Sequence, residues 1–135
     1  MKIPAYMNLL ARLAEITYNT PDREFDMATW GDKITCSTRA CLAGHASLDP
    51  WFKDRGFHSK WIGITSNKTL IFSSNDTTYH YSALKPFNTT FNLNKKQYKF
   101  IADLFYCDLG ITKIRVLNSI EKEASKYKYE LEWLK

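Results

Sequence analysis

Ile3, Met7, Leu10, Leu13, Ala14 and Thr17 recur at three- and four-residue steps, with Asn8, Arg12 and Glu15 between them. Positions three and four apart share one face of a helix, so the spacing predicts an amphipathic helix over residues 3 to 18. Pro21 disfavours helical geometry at Thr20 and ends it. Further on, Ser37 or Thr38 is placed to cap a short helix through Leu48, which Asp49-Pro50 would stop. That helix is built of small residues, Ala40, Cys41, Ala43, Gly44 and Ala46, anchored by Leu42 and Leu48. Glycine inside a helix costs about 0.5 to 1 kcal/mol relative to alanine, so Gly44 is expected to be buried where another backbone approaches.

From Trp61 to Tyr81 the pattern changes to β-branched and aromatic runs, WIGIT, TLIFSS and TTYHYSA, separated by Ser66-Asn67-Lys68 and Ser74-Asn75-Asp76. Turn residues between such runs predict an antiparallel meander of about three strands. Helical spacing then returns. Asn92 or Asn94 can cap a helix through about Tyr106 with Tyr98, Ile101, Ala102, Leu104 and Phe105 as its apolar set, and Thr112 can cap a last one carrying Ile114, Leu117, Ile120 and Ala124. The tail KYKYELEWLK either extends that helix or docks separately. The expected class is α+β: N-terminal helices, a small meander and C-terminal helices round one core, with residues 1 to 135 as a single domain.

Composition narrows the function classes. An apolar fraction of 44% with 15% aromatics provides enough burial to offset chain entropy and argues against disorder. No stretch is long and apolar enough for a membrane span, and Arg12 and Glu15 interrupt the region where a secretory signal needs an apolar run. Three cysteines, an odd number, fit a reducing compartment better than a disulfide scaffold, so the expected location is the cytoplasm of the cell that makes the chain. A net charge of +5 favours an acidic partner such as nucleic acid or an anionic protein face.

One stretch gathers reactive side chains. Cys41 and His45 stand one helical turn apart, and Cys36 lies near the predicted helix start, where the dipole favours a thiolate. A zinc site there would need a fourth ligand from His58, His80, Cys107 or Asp49, and the paired CxxC spacing of a zinc knuckle is missing. A cysteine nucleophile with His45 as base would need an orienting group and an oxyanion site that the sequence does not locate. The preferred reading is structural: Cys36 and Cys41 as small buried hydrophobes and His45 bonded to the backbone of a loop. Glycines 31, 44, 56, 63 and 110 are too scattered for a phosphate loop, and Glu121 and Glu123 read as surface charges on a lysine-rich helix. No catalytic residue, metal ligand or cofactor is assigned.

Binding chemistry is better represented. Lys95, Lys96 and Lys99 open one helix, Lys113 and Arg115 the next, and Lys122, Lys126 and Lys128 continue it. Charges on one face suit phosphates, and tyrosines and tryptophans can stack on unpaired bases. Trp51, Trp61, Tyr79, Tyr81 and Trp133 are the aromatic candidates for a partner surface, since aromatics and arginine dominate binding hot spots.

The segment TPDREFDMATWGDKITCSTRACLAGHA resembles a motif of small phage, prophage and bacterial proteins. Its recurring elements stand here as Pro21, Phe25, Asp26, Met27, Trp30, Cys36, Thr38, Ala40, Cys41, Ala43, Gly44, His45 and Ala46. Members often carry glycine where Ser37 stands, and residues 61 to 91 are this chain's own elaboration. The resemblance covers roughly the first half, implies phage or prophage origin and a similar helical core, and carries no catalytic residue with it. Small size, origin and aromatic content together lead to an expected phage accessory protein that binds and inhibits a host macromolecule, of the anti-CRISPR or another anti-defence kind. The alternative is a nucleic-acid-binding regulator using the basic helices.

If the motif is structural, protein purified without a histidine tag carries no stoichiometric zinc, and Cys41→Ala costs on the order of 1 kcal/mol. One equivalent of zinc lost on mutating Cys36, Cys41 or His45 would reverse that reading.

Overall fold

The computed structural model describes residues 1–25, 32–34, 37–39, 41–63, 68–75, 77–105 and 112–133. The first helix, α1 (Ile3–Asn19), carries Pro4 in its first turn, where its missing N–H costs nothing. Its buried stripe is Tyr6, Leu9, Leu10, Leu13, Ile16 and Thr17. The stripe is therefore rotated from the expected one: Tyr6 and Leu9 enter the core, and Ile3, Met7 and Ala14 flank it half-buried. A short 3-10 turn, Asp22–Glu24, follows Pro21.

Strands β1 (Asp32–Ile34) and β2 (Ser37–Arg39) pair antiparallel, with Lys33 opposite Thr38 and Ile34 opposite Ser37. This corrects the expected cap. The backbone at Ser37 and Thr38 is extended and committed to the ladder, so helix α2 (Leu42–Leu48) starts only after Cys41, whose own backbone is extended and whose side chain makes no cap bond. Gly44 is buried within α2, as expected.

Pro50 pushes Asp49 into extended geometry (φ −81°, ψ 135°), which ends α2. The same proline is the first residue of α3 (Pro50–Asp54), so the chain breaks and restarts helical at once. Gly56, at φ +104°, then turns the backbone into the next strand in a conformation that L side chains rarely adopt.

Strands β3 (His58–Ile62) and β4 (Lys68–Ser73) form an antiparallel pair with Trp61 opposite Leu70 and Ser59 opposite Phe72. The expected third strand of the meander is reduced to a single bridge, in which His80 and Phe72 exchange two backbone bonds of 2.8 Å. The reason is local: Asn75 Oδ1 accepts from the amides of Thr77 and Thr78, and Ser73 Oγ bonds the carbonyls of Asn75 and Thr78, so side chains take the groups a ladder would use. β1 instead adds to the sheet, giving the antiparallel order β2-β1-β4-β3. The turn expected at Ser66-Asn67-Lys68 lies largely outside the described residues.

Residues 84 to 91, between the expected meander and the expected helix after Asn92, form a helix that the spacing did not predict. Pro86 falls in the first turn of α4 (Leu84–Phe91), and the helix buries Pro86, Phe87 and Phe91 before Asn92 closes it in left-handed geometry. Helix α5 (Lys95–Leu104) opens with a full capping box: Asn94 accepts from the Gln97 amide, and the Gln97 side chain accepts from the Asn94 amide. Gln97 is thus buried, while Tyr98, expected in the apolar set, is 38% exposed. Thr112 Oγ1 accepts from the Arg115 amide at the head of α6 (Lys113–Trp133), which includes most of the basic tail. Ile114 is 70% exposed, and the buried face runs through Val116, Ile120 and Glu123. The mixed α+β class holds.

α6 packs along α1, and α2 lies between α1 and β3. Tyr6 meets Glu123, and Lys113 bonds the carbonyl of Thr20, so α1 and α6 run antiparallel. On the other side of the core Phe87 lies 5.1 Å from Phe57, 4.7 Å from Phe91 and 4.9 Å from Phe105 between ring centroids, with Phe52 at 5.9 Å. Among the described residues no helix is long and apolar enough to cross a membrane.

Phe87→Ala is expected to cost about 3–5 kcal/mol in urea unfolding, because it empties the space between four rings. Tyr98→Ala, outside that cluster, is expected to change stability by about 0.5 kcal/mol or less.

Candidate functional site

Among the described residues, two surfaces carry organised polar chemistry. The first is built round Asp49. Its backbone separates α2 from α3, and its Oδ2 caps α3 by accepting from the Trp51 amide at 3.0 Å. From α1, Arg12 reaches both carboxylate oxygens, Nε to Oδ2 at 3.0 Å and Nη2 to Oδ1 at 2.5 Å. A bidentate fork of this kind fixes direction as well as charge. Glu15, one turn on, holds the same guanidinium at 3.2 Å.

Trp51 is fixed as a consequence. Its indole packs against Phe52 and Phe91, with centroids 4.8 and 6.2 Å away. Arg55, one turn later, places its guanidinium carbon 3.6 Å from the indole centroid and donates to the Trp51 carbonyl at 3.0 Å. Between this pair and α1 runs a groove of about 360 Å³ lined by Met1, Ala5, Asn8, Ala11, Arg12 and Glu15 as well as Trp51 and Arg55. A second hollow of about 280 Å³ lies across the Arg12–Asp49 pair, with Thr20, His45 and Leu48 among its walls.

The other surface lies between α5 and α6, in a groove of about 390 Å³. Lys96, Lys99 and Asp103 from α5 and Lys126 from α6 line it together with Phe100, Tyr127 and Glu123. Glu123 is 8% exposed, which corrects its reading as a surface charge; Glu121 does face solvent. Its Oε2 accepts a hydrogen bond of 2.9 Å from the buried Tyr6 hydroxyl, and Lys126 Nζ lies 4.0 Å from Oε1. Tyr127 packs edge-on against Tyr6 at 5.0 Å. Burial, then the bond to Glu123, pushes the Tyr6 hydroxyl far above the ordinary tyrosine range. A signal for Glu123 was present in the sequence: Val116, Ile120, Glu123 and Tyr127 are spaced by four, three and four, so the acid occupies a position of the apolar stripe.

The residues singled out from sequence are scattered over the molecule. Lys95, Lys96 and Lys99 are all exposed on α5, and of these Lys96 and Lys99 reach the groove. Trp51 forms the wall beside α1, and Trp61 is half-buried against the core. Tyr79 stands beside His58, with Lys60 Nζ 4.3 Å from its ring centroid, and Tyr81 is 71% exposed. The Trp133 side chain lies outside the described residues, as do Trp30 and Cys36; Thr38 is described only as backbone of β2. Cys41 is fully buried in the core cluster. His45 Nε2 lies 2.5 Å from the carbonyl of Glu24, and its ring stacks on Phe25 at 6.3 Å. Among the described residues no group of three or more His, Cys, Asp or Glu is arranged to hold a metal ion. Compared with family models, with curated proteins and with solved structures, the chain matches none of them.

Tyr6→Phe leaves the buried Glu123 without its hydroxyl donor and is expected to cost about 1–3 kcal/mol. A phenol whose folded pKa is raised contributes stability that is fully present below the unfolded value of about 10 and is lost as pH climbs above it. The stability gap between wild type and Tyr6→Phe is therefore expected to narrow above pH 10, by up to about 1.4 kcal/mol per pH unit, in urea titrations at stepped pH.

Proposed function

We propose that this protein is a phage accessory protein that works by stoichiometric binding to a host macromolecule, as an inhibitor of an anti-CRISPR or other anti-defence kind. The observation that carries this reading is the Trp51 and Arg55 pair beside the groove along α1. Trp and Arg are the side chains most enriched in binding hot spots. Here both are held before any partner arrives, Trp51 by the Asp49 cap and core rings, Arg55 by the indole face and the Trp51 carbonyl. Side chains fixed in advance lose less entropy on association, which strengthens an interface of given area. The motif resemblance implies a phage origin, and a phage origin implies a bacterial partner.

A nucleic-acid-binding regulator is the second reading, favoured by the convergence of Lys96, Lys99 and Lys126 from two helices on one groove.

The test is capture from a bacterial lysate with wild type and Arg55→Glu in parallel. Wild type is expected to recover one host protein or nucleoprotein in stoichiometric amount, and the variant, equally folded by circular dichroism, to bind it at least about 30-fold more weakly, the effect of losing a hot spot. Recovery of no stoichiometric partner by wild type, or equal recovery by the variant, would count decisively against this surface.

A further inference from the structure

The groove between α5 and α6 combines three features that each side of a nucleotide requires, and we propose that it binds one nucleotide unit, with the phosphate on the lysines and an amino-bearing base edge on Glu123. This rests on the second reading above where the nucleotide belongs to a nucleic-acid strand; a free nucleotide presents the same chemistry.

Lys96, Lys99 and Lys126 are carried on two facing helices, so their charges converge on one volume. Asp103 on the rim and Glu123 beneath it offset part of this charge, and the lysines remain in excess. Phe100 and Tyr127 line the same space and offer apolar ring surface to a base. The volume of about 390 Å³ lies in the range of small-ligand sites.

Glu123 supplies selectivity. Its Oε2 is engaged by Tyr6, and the other oxygen, Oε1, has Lys126 at 4.0 Å, the limit of an ion pair. A carboxylate accepts from an exocyclic amino group, as on cytosine N4. Uracil and thymine present carbonyl oxygens at the corresponding place, and these repel it. The site should therefore prefer cytosine over uracil, a base of the same size, and over thymine, which adds only a methyl group.

The experiment is a fluorescence-anisotropy titration of the full chain with dC12 and dT12 over a range of salt, with CMP and UMP as competitors. The expected result is about tenfold tighter binding of dC12 than of dT12, the lower part of the range for a specific base contact. Lys96→Ala with Lys99→Ala should weaken both oligonucleotides alike and lower the salt slope by about one for each phosphate contact removed. Glu123→Gln keeps an acceptor for Tyr6 and turns an amide donor to the base, so it should erase or invert the preference while the salt slope stays unchanged. CMP competing better than UMP assigns the site to single nucleotides as well; competition by oligonucleotides alone assigns it to strands. Salt-dependent binding that ignores the base and is unaffected by Glu123→Gln would overturn the nucleotide site and leave the nucleic-acid reading standing. No binding of any of the four ligands would remove both.

Discussion

The half of the fold that carries the short elements depends on one packing constraint, the accommodation of Phe87 among the rings of Phe52, Phe57, Phe91 and Phe105. Those rings come from α3, the turn before β3, α4 and the end of α5, so the cluster closes only when all four segments are in place. Phe57 in turn stacks on Phe72 of β4, which ties the sheet to the helices. Each buried phenylalanine contributes about 1.5–3 kcal/mol, and edge-to-face pairs add about 0.5–1.5 kcal/mol beyond area. The short elements here, a five-residue α3 and an eight-residue α4, are below the length at which isolated helices hold in water. Their stability is borrowed from the cluster.

Asp49 converts that packed wall into a shaped surface. A single carboxylate caps α3 and receives the fork of Arg12, and the proline after it ends α2, so α1, α2 and α3 meet at one residue. With Asp49 fixed, the start of α3 is fixed, and with it Trp51, whose indole packs on Phe52 and Phe91 and carries the Arg55 guanidinium. Rigidity of the surface therefore comes from the core beneath Trp51 and from the half-buried Arg12–Asp49 fork, with Arg55 seated on the indole they hold.

Long periodic segments were legible in the sequence and short ones were not. α1, α5 and α6 follow from three- and four-residue spacing and from Asn94 and Thr112 as caps, because these features are local. α4 was hidden because Pro86 and two threonines have low helix propensity, and the burial of Phe87 that makes the segment helical is a tertiary fact. β1 and β2, three residues each, have no periodicity to read, and their pairing withdrew Ser37 and Thr38 from the helix start. Asn75 worked the other way: its side chain satisfied the turn so completely that the third strand shrank to one bridge. Of the sites, the lysines on α5 could be named from sequence, but their meeting with Lys126 depends on helix packing.

Glu123 differs in kind from Asp49, and the difference bears on what the α5/α6 groove is for. Asp49 faces a guanidinium that answers both its oxygens, so burying it is locally compensated. Glu123 has one neutral hydroxyl and a lysine at 4.0 Å whose side chain is 65% exposed and therefore screened by solvent. Burying a carboxylate costs several kcal/mol, and an apolar residue of similar size at such a place is often neutral or stabilising. On an apolar stripe between Ile120 and Tyr127, a leucine would serve packing better than this acid does. Residues that break a local rule without local compensation concentrate where a protein binds or acts. By that argument the carboxylate beneath the lysine rim, more than the lysines themselves, marks the groove as a site.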